Sequence, residues 1–148
     1  NTDINSGKVT LDIPKDYIVL DGDVIFSWSA SLKVDIWSGG TCGLNQHLFK
    51  VTSEKYPKWF YYLWCKYYLE EFRSIANDKA TTMGHIQRHH LSEALAIVPP
   101  PKVIEKMDKT MTPLIEKIIS NNRQIQNLQQ LRDTYLSKLM SGEARVKI

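Results

Sequence analysis

An apolar seam runs from Ile104 to Leu139 and limits the folds open to this chain more than anything else in it. With heptad position a at Ile104, the a and d positions are Ile104, Met107, Met111, Leu114, Ile118, Asn121, Ile125, Leu128, Arg132, Tyr135 and Leu139. Nine of these eleven are apolar or aromatic, the pattern of a coiled-coil seam. The helix reads as 102–140, entered through the stiff Pro99-Pro100-Pro101 run and stopped near Gly142. Pro113 is expected to kink or restart it, with Thr112 as N-cap. Residues 113–140 alone would span roughly 42 Å. A helix of that length cannot bury its stripe within residues 1–100, so it calls for a partner helix. Antiparallel self-association is therefore expected through Ile104, Met107, Met111, Leu114, Ile118, Ile125, Leu128 and Leu139. Asn121, at a core position, would help to fix the register.

The residues before the seam divide in two. Residues 1–55 read as β structure. Val9, Leu11 and Ile13 alternate with polar neighbours, Val24-Ile25-Phe26 is a short buried run, Leu32, Val34 and Ile36 alternate again, and residues 47–51 make a fourth strand. Residues 57–76 read as a helix, with Pro57 at its start. Tyr61, Trp64, Tyr68, Phe72 and Ile75 form one apolar stripe, and Phe60, Leu63 and Tyr67 a second. Nine of the chain's 15 aromatics lie between Tyr56 and Phe72, so this helix is expected to lie buried against the sheet. Residues 77–92 are polar and irregular and read as an exposed loop. Leu95, Ile97 and Val98 suggest a closing strand. The fold class is α+β, a mixed or antiparallel β-rich domain with one aromatic-rich helix, followed by a long coiled-coil helix.

Several function classes are disfavoured. At 43% hydrophobic and 24% charged residues the chain is globular rather than disordered. Its apolar runs are far shorter than the roughly 20 residues that cross a bilayer, and no basic-then-apolar leader opens it. Cys42 and Cys65 form no C-x-x-C pair, so free thiols in a reducing cytoplasm are expected. His85, His89, His90 and Glu93 cluster, but without the offsets of known zinc patterns. No nucleophile elbow and no phosphate-cradling glycine loop occurs. No catalytic residue, metal site or cofactor is expected.

Charge points in a different direction. Lys and Arg against Asp and Glu number 5 to 7 over residues 1–55, 5 to 4 over 56–100, and 9 to 5 over 101–148. A mild basic excess is compatible with nucleic acid without demanding it. Arg and Lys suit guanine edges, Asn and Gln suit adenine, and hydroxyls suit phosphates. The 77–90 segment supplies Thr81, Thr82, His85, Gln87 and Arg88. Two other polar turns, with Ser27 and Ser29 and with Asn45 and Gln46, could join it at one edge of the sheet. Ordinary solvated loops and structural turns are the blander reading of the same residues.

Four segments resemble one known family. Gly22-Asp23-Val24-Ile25-Phe26-Ser27-Trp28-Ser29 is similar to the G-D-[IV]-[LI]-F-S segment of type I restriction-modification specificity subunits. Leu44-Asn45-Gln46-His47-Leu48-Phe49-Lys50-Val51 resembles a second segment, and Ala80-Thr81-Thr82-Met83-Gly84-His85-Ile86, with the Pro99-Pro100 exit, a third. Leu128 to Asp133 and Leu139 to Glu143 resemble the family's closing helix. Order and spacing agree over roughly residues 20–145.

The resemblance implies a non-catalytic subunit that reads double-stranded DNA for methyltransferase and restriction subunits. It implies two target recognition domains, each reading half of a bipartite site, joined by two antiparallel helices that fix the gap. Here residues 1–100 would be one recognition domain and residues 101–148 one spacer helix with a C-terminal tail. The chain begins at Asn1, and family domains carry several dozen more residues before the G-D segment. The recognition domain is therefore expected to be partial, part of a subunit or a half-subunit. The alternative is a coiled-coil assembly adaptor that binds no DNA.

Overall fold

Short alternating segments pair into sheet, and the aromatic run folds over them as a helix. The computed structural model describes residues 13–28, 32–78, 86 and 88–144, without the side chains of 78 and 88. Five strands come first: β1 (Ile18–Val19), β2 (Val24–Ser27), β3 (Lys33–Ile36), β4 (Cys42–Gly43) and β5 (Leu48–Val51). Three helices follow: α1 (Lys58–Asp78), α2 (Arg88–Glu93) and α3 (Pro101–Met140). β2 is central in a three-stranded sheet of order β3-β2-β5, and β1 pairs with β4. Every pairing among the described strands is antiparallel. The α+β class expected from the sequence is the one observed.

Register decides which side chains are buried. Val24 lies opposite Ile36 and Val51, and Phe26 opposite Val34 and Phe49. Val24, Phe26, Val34 and Ile36 thus share one face. They pack with Trp59, Phe60, Leu69, Phe72 and Ala76 of α1 into a single core. The Phe72 ring meets Phe26 edge-on, with centroids 6.0 Å apart at 88°. Before α1, the Ser53 hydroxyl accepts the Tyr56 N–H at 3.0 Å. Arg73 of α1 donates from Nε and Nη2 to the Leu32 carbonyl, at 3.1 and 2.9 Å, and holds the start of β3.

Gly22 sits at φ +91° in the turn before β2, a conformation that costs glycine little. Its N–H donates to the Trp37 carbonyl at 2.8 Å, and the Trp37 N–H donates to the Asp23 carbonyl at 2.8 Å. The turn before β2 and the exit of β3 are thereby zipped together.

Several expectations are corrected. The polar 77–92 stretch is not all loop: Arg88–Glu93 is helical, and Ile86 and His90 are buried. Local polarity hid the two positions that bury. Leu95, Ile97 and Val98 form no strand; they run irregularly and exposed into α3. Leu63 and Tyr67 face outward rather than into the core. Pro113 does not restart α3, which continues from Pro101 to Met140. Thr112 is accordingly no N-cap, and its hydroxyl donates instead to Asp108 Oδ1 at 2.6 Å. Of the first expected strand, residues 9–12 lie outside the described residues. Gly142 does end α3: at φ +77° it donates to the Leu139 carbonyl at 3.2 Å.

Candidate functional site

The two ends of the three-stranded sheet have different surroundings. At one end β2 finishes in Ser27, opposite Lys33 and Leu48. Trp28 follows, and its ring lies 6.1 Å from Phe49 and 5.7 Å from His47. Its N–H donates to the His47 carbonyl, and its own carbonyl accepts the Ile86 N–H, both at 3.3 Å. One tryptophan therefore joins the end of β2, the turn before β5 and the described flank of the 79–87 segment. Trp28 is not among the contact residues expected from the sequence, although the serines beside it are. An indole set among small hydroxyl residues was the available signal.

Asn45 and Gln46 occupy the exposed turn at this same end. Asn45 Oδ1 accepts the His47 N–H at 2.8 Å, and its carbonyl accepts the Leu48 N–H at 3.0 Å. Its side chain thus shapes the turn, as Asn does where it mimics backbone. The Gln46 amide nitrogen lies 3.3 Å from His47 Nε2. Ser27 and Lys33 line an open trough of about 370 Å³ on the sheet face away from α1, with Ile25, Asp35, Ser38 and Gln126. Lys33 pairs with Asp35 at 2.7 Å, and both are largely exposed. Thr81, Thr82, His85, Gln87 and Ser29 lie outside the described residues. Arg88 is placed by its backbone at the first position of α2. Ser27, Asn45, Gln46 and Ile86 are thus brought to one end of the sheet.

α3 carries two stripes rather than one. Ile104, Met111, Ile115 and Ile119 pack against the core, with Ile115 buried in it. Two seam positions, Ile104 and Met111, therefore touch the helix's own domain. Ile115 and Ile119 lie off the heptad seam and were not anticipated. Met107, Leu114, Ile118, Ile125, Leu128 and Leu139 remain exposed, on a face about 100° around the helix from Ile115. Every residue from 127 to 140 is exposed.

The root of α3 is held by Asp108. Its Oδ1 accepts the Trp59 indole N–H at 2.8 Å as well as the Thr112 hydroxyl. Hydrogen bonds from Thr112 and then Trp59 hold its carboxyl below the usual carboxylate range. A carboxylate with a lowered folded-state pKa adds stability above its unfolded value, and that stability is lost as pH falls. Thermal melting should therefore show an acid-side loss below about pH 4 that is smaller in Asp108→Asn. An identical acid profile in the variant would remove Asp108 from that role.

Among the described residues no group of His, Cys, Asp and Glu is placed to hold a metal ion. Burial pushes the thiols of Cys42 and Cys65 up, opposite to the shift that activates a nucleophile. No described helix is long and apolar enough to cross a membrane.

No protein-family model matches the chain. Among curated proteins, the Type I restriction enzyme MjaIX specificity subunit of Methanocaldococcus jannaschii is 32% identical over 103 residues. The matched stretch is 68% of this chain and 23% of that protein, so the chain spans a minor part of its relative's length.

Proposed function

We infer that this chain, which carries a specificity-subunit-like domain of the type I restriction enzymes, reads one half of a bipartite DNA site. The observation that carries this reading is the 32% identity over 103 residues to a protein named for that role. The domain, residues 1–100, is the reader, and residues 101–148 are spacer helix and tail. Ser27, Ser29, Asn45, Gln46, Thr81, Thr82, His85, Gln87 and Arg88 are the contacts, read mainly in the major groove. The gathering of Ser27, Asn45, Gln46 and Ile86, two residues before Arg88, at one end of the sheet supports this choice. The chain performs no chemistry of its own; methyltransferase and restriction subunits supply it. The exposed seam from Met107 to Leu139 takes a second, antiparallel helix, which in the chain alone is that of a second copy.

Selection from a random duplex pool tests the reading. The protein should enrich a defined half-site, with affinity that falls steeply as salt rises. Arg88→Ala should relax preference at one or more positions of that site. No enrichment over random DNA, with helix pairing intact, would favour the assembly-adaptor alternative.

A further inference from the structure

α3 is fastened to the domain at two polar points. The first is Asp108, gripped by Trp59. The second is Asp21, in the turn before β2. Asp21 Oδ1 accepts the Gly40 N–H at 2.8 Å, and its Oδ2 accepts Nε of Arg123 at 3.1 Å. Asp21 is 102 positions from Arg123 in the chain, so the contact is tertiary. The surrounding turns are themselves tied down. The Trp37 indole donates to the Gly40 carbonyl at 2.5 Å, and Lys58 Nζ donates to the Gly22 carbonyl at 2.6 Å. A Cβ at Gly22 would lie 3.3 Å from Ile119 Cδ1, so turn and helix are in close approach.

Fifteen residues separate Asp108 from Arg123, which is about 22 Å along a helix. Apolar packing of Ile104, Met111, Ile115 and Ile119 holds the root of α3; Arg123 lies one turn beyond Ile119, so its pair with Asp21 is the outermost hold before the exposed stretch. Beyond Gln126 every residue of α3 up to Met140 is exposed. The lever from Ile119, the last residue of α3 packed on the core, to Met140 is about 32 Å, and a 10° bend would move its tip by about 5.5 Å. That exceeds one base-pair step of about 3.4 Å.

We propose that the Asp21–Arg123 pair is an angular latch: it sets the direction in which the spacer helix leaves the recognition domain, and so the gap between half-sites that the protein accepts. The latch rests on the DNA-reading function above, because only there does helix direction become a distance along DNA. Asp21 and Arg123 are positioning residues. Arg123 is half-exposed, and an ion pair open to solvent on that side adds little to stability, so its loss should leave the fold intact and free the angle.

Two measurements test the latch. In the first, spin labels are placed at Glu54→Cys and Ser137→Cys in the full chain, with Cys42→Ser and Cys65→Ser, and the labelled protein is diluted in excess unlabelled protein so that only distances within one copy are read. Pulsed dipolar spectroscopy should give a narrow distance distribution. Asp21→Asn and Arg123→Gln should broaden it by several ångströms without changing the melting temperature. Arg123→Lys, which keeps the charge, should stay narrow. Unchanged distributions in both Asp21→Asn and Arg123→Gln would overturn the latch whatever the protein binds.

The second measurement uses duplexes carrying two selected half-sites, with the gap varied one base pair at a time. The unaltered protein should prefer one gap, and Asp21→Asn should flatten that preference while keeping the half-site. DNA binding with the same gap preference in Asp21→Asn would overturn the gap-setting role. No preferred duplex for the unaltered protein would overturn the DNA reading and the gap-setting role with it, leaving the distance measurement to decide the latch alone.

Discussion

Replacing Ile118 and Ile125 together with aspartate should convert a self-associating chain into a monomer, weakening association at least 100-fold. Both side chains are large, apolar and exposed, on the face of α3 that turns away from the core. Burying an isoleucine is worth about 1.5–3 kcal/mol, and a symmetric pair loses two from each chain. Each aspartate also adds a charge that pairing would have to desolvate. Ile115 and Ile119, which hold α3 to its own domain, are untouched, so the monomer should keep its fold. Sedimentation equilibrium over a concentration series reads the effect. An unaltered protein that stays monomeric at the highest concentration would contradict the pairing, as would a double variant that associates as before.

Phe72→Ala should cost about 3–5 kcal/mol, enough to unfold a domain of ordinary stability. Phe72 is buried where α1 crosses the sheet, edge-on to Phe26 and 5.8 Å from the Tyr68 ring. Truncation leaves a cavity between Phe26 of β2 and the helix, and the short strands offer little slack to collapse into it. Because the sheet's far end presents the candidate contacts, DNA preference should fall with the folded fraction. Urea denaturation measures the loss through the transition midpoint. A shift of under about 1 kcal/mol would mean that the sheet and α1 do not share one core.

α1 and α3 were legible because long periodic patterns leave little choice of partner face. Of the aromatic stripe Tyr61, Trp64, Tyr68, Phe72 and Ile75, every member packs in or against the core. β3 was legible by alternation and β2 as a short apolar run, and the register buries the residues so selected. The heptad count on α3 found the exposed seam but not the stripe through Ile115 and Ile119, because two faces are written on one helix and the more regular one dominates. Pro113 reads as a break because it lacks an N–H for the preceding turn. Packing at Ile115 and the Asp108 hydrogen bonds lie on either side of it and hold the helix continuous. β1 and β4, two residues each, carry no periodicity to detect. At the candidate site, residue types such as Ser27, Asn45 and Gln46 could be chosen from the sequence. Their meeting at Trp28 could not, because it depends on contacts between segments about 20 to 60 residues apart in sequence.

The central claim is that this chain selects DNA sequence for a methyltransferase. Methylome sequencing of cells with and without the intact gene tests it most directly. One bipartite motif, two short defined halves with a fixed gap, should lose methylation when the gene is removed. The same set of methylated motifs in both strains, with the methyltransferase partner present and expressed, would contradict it.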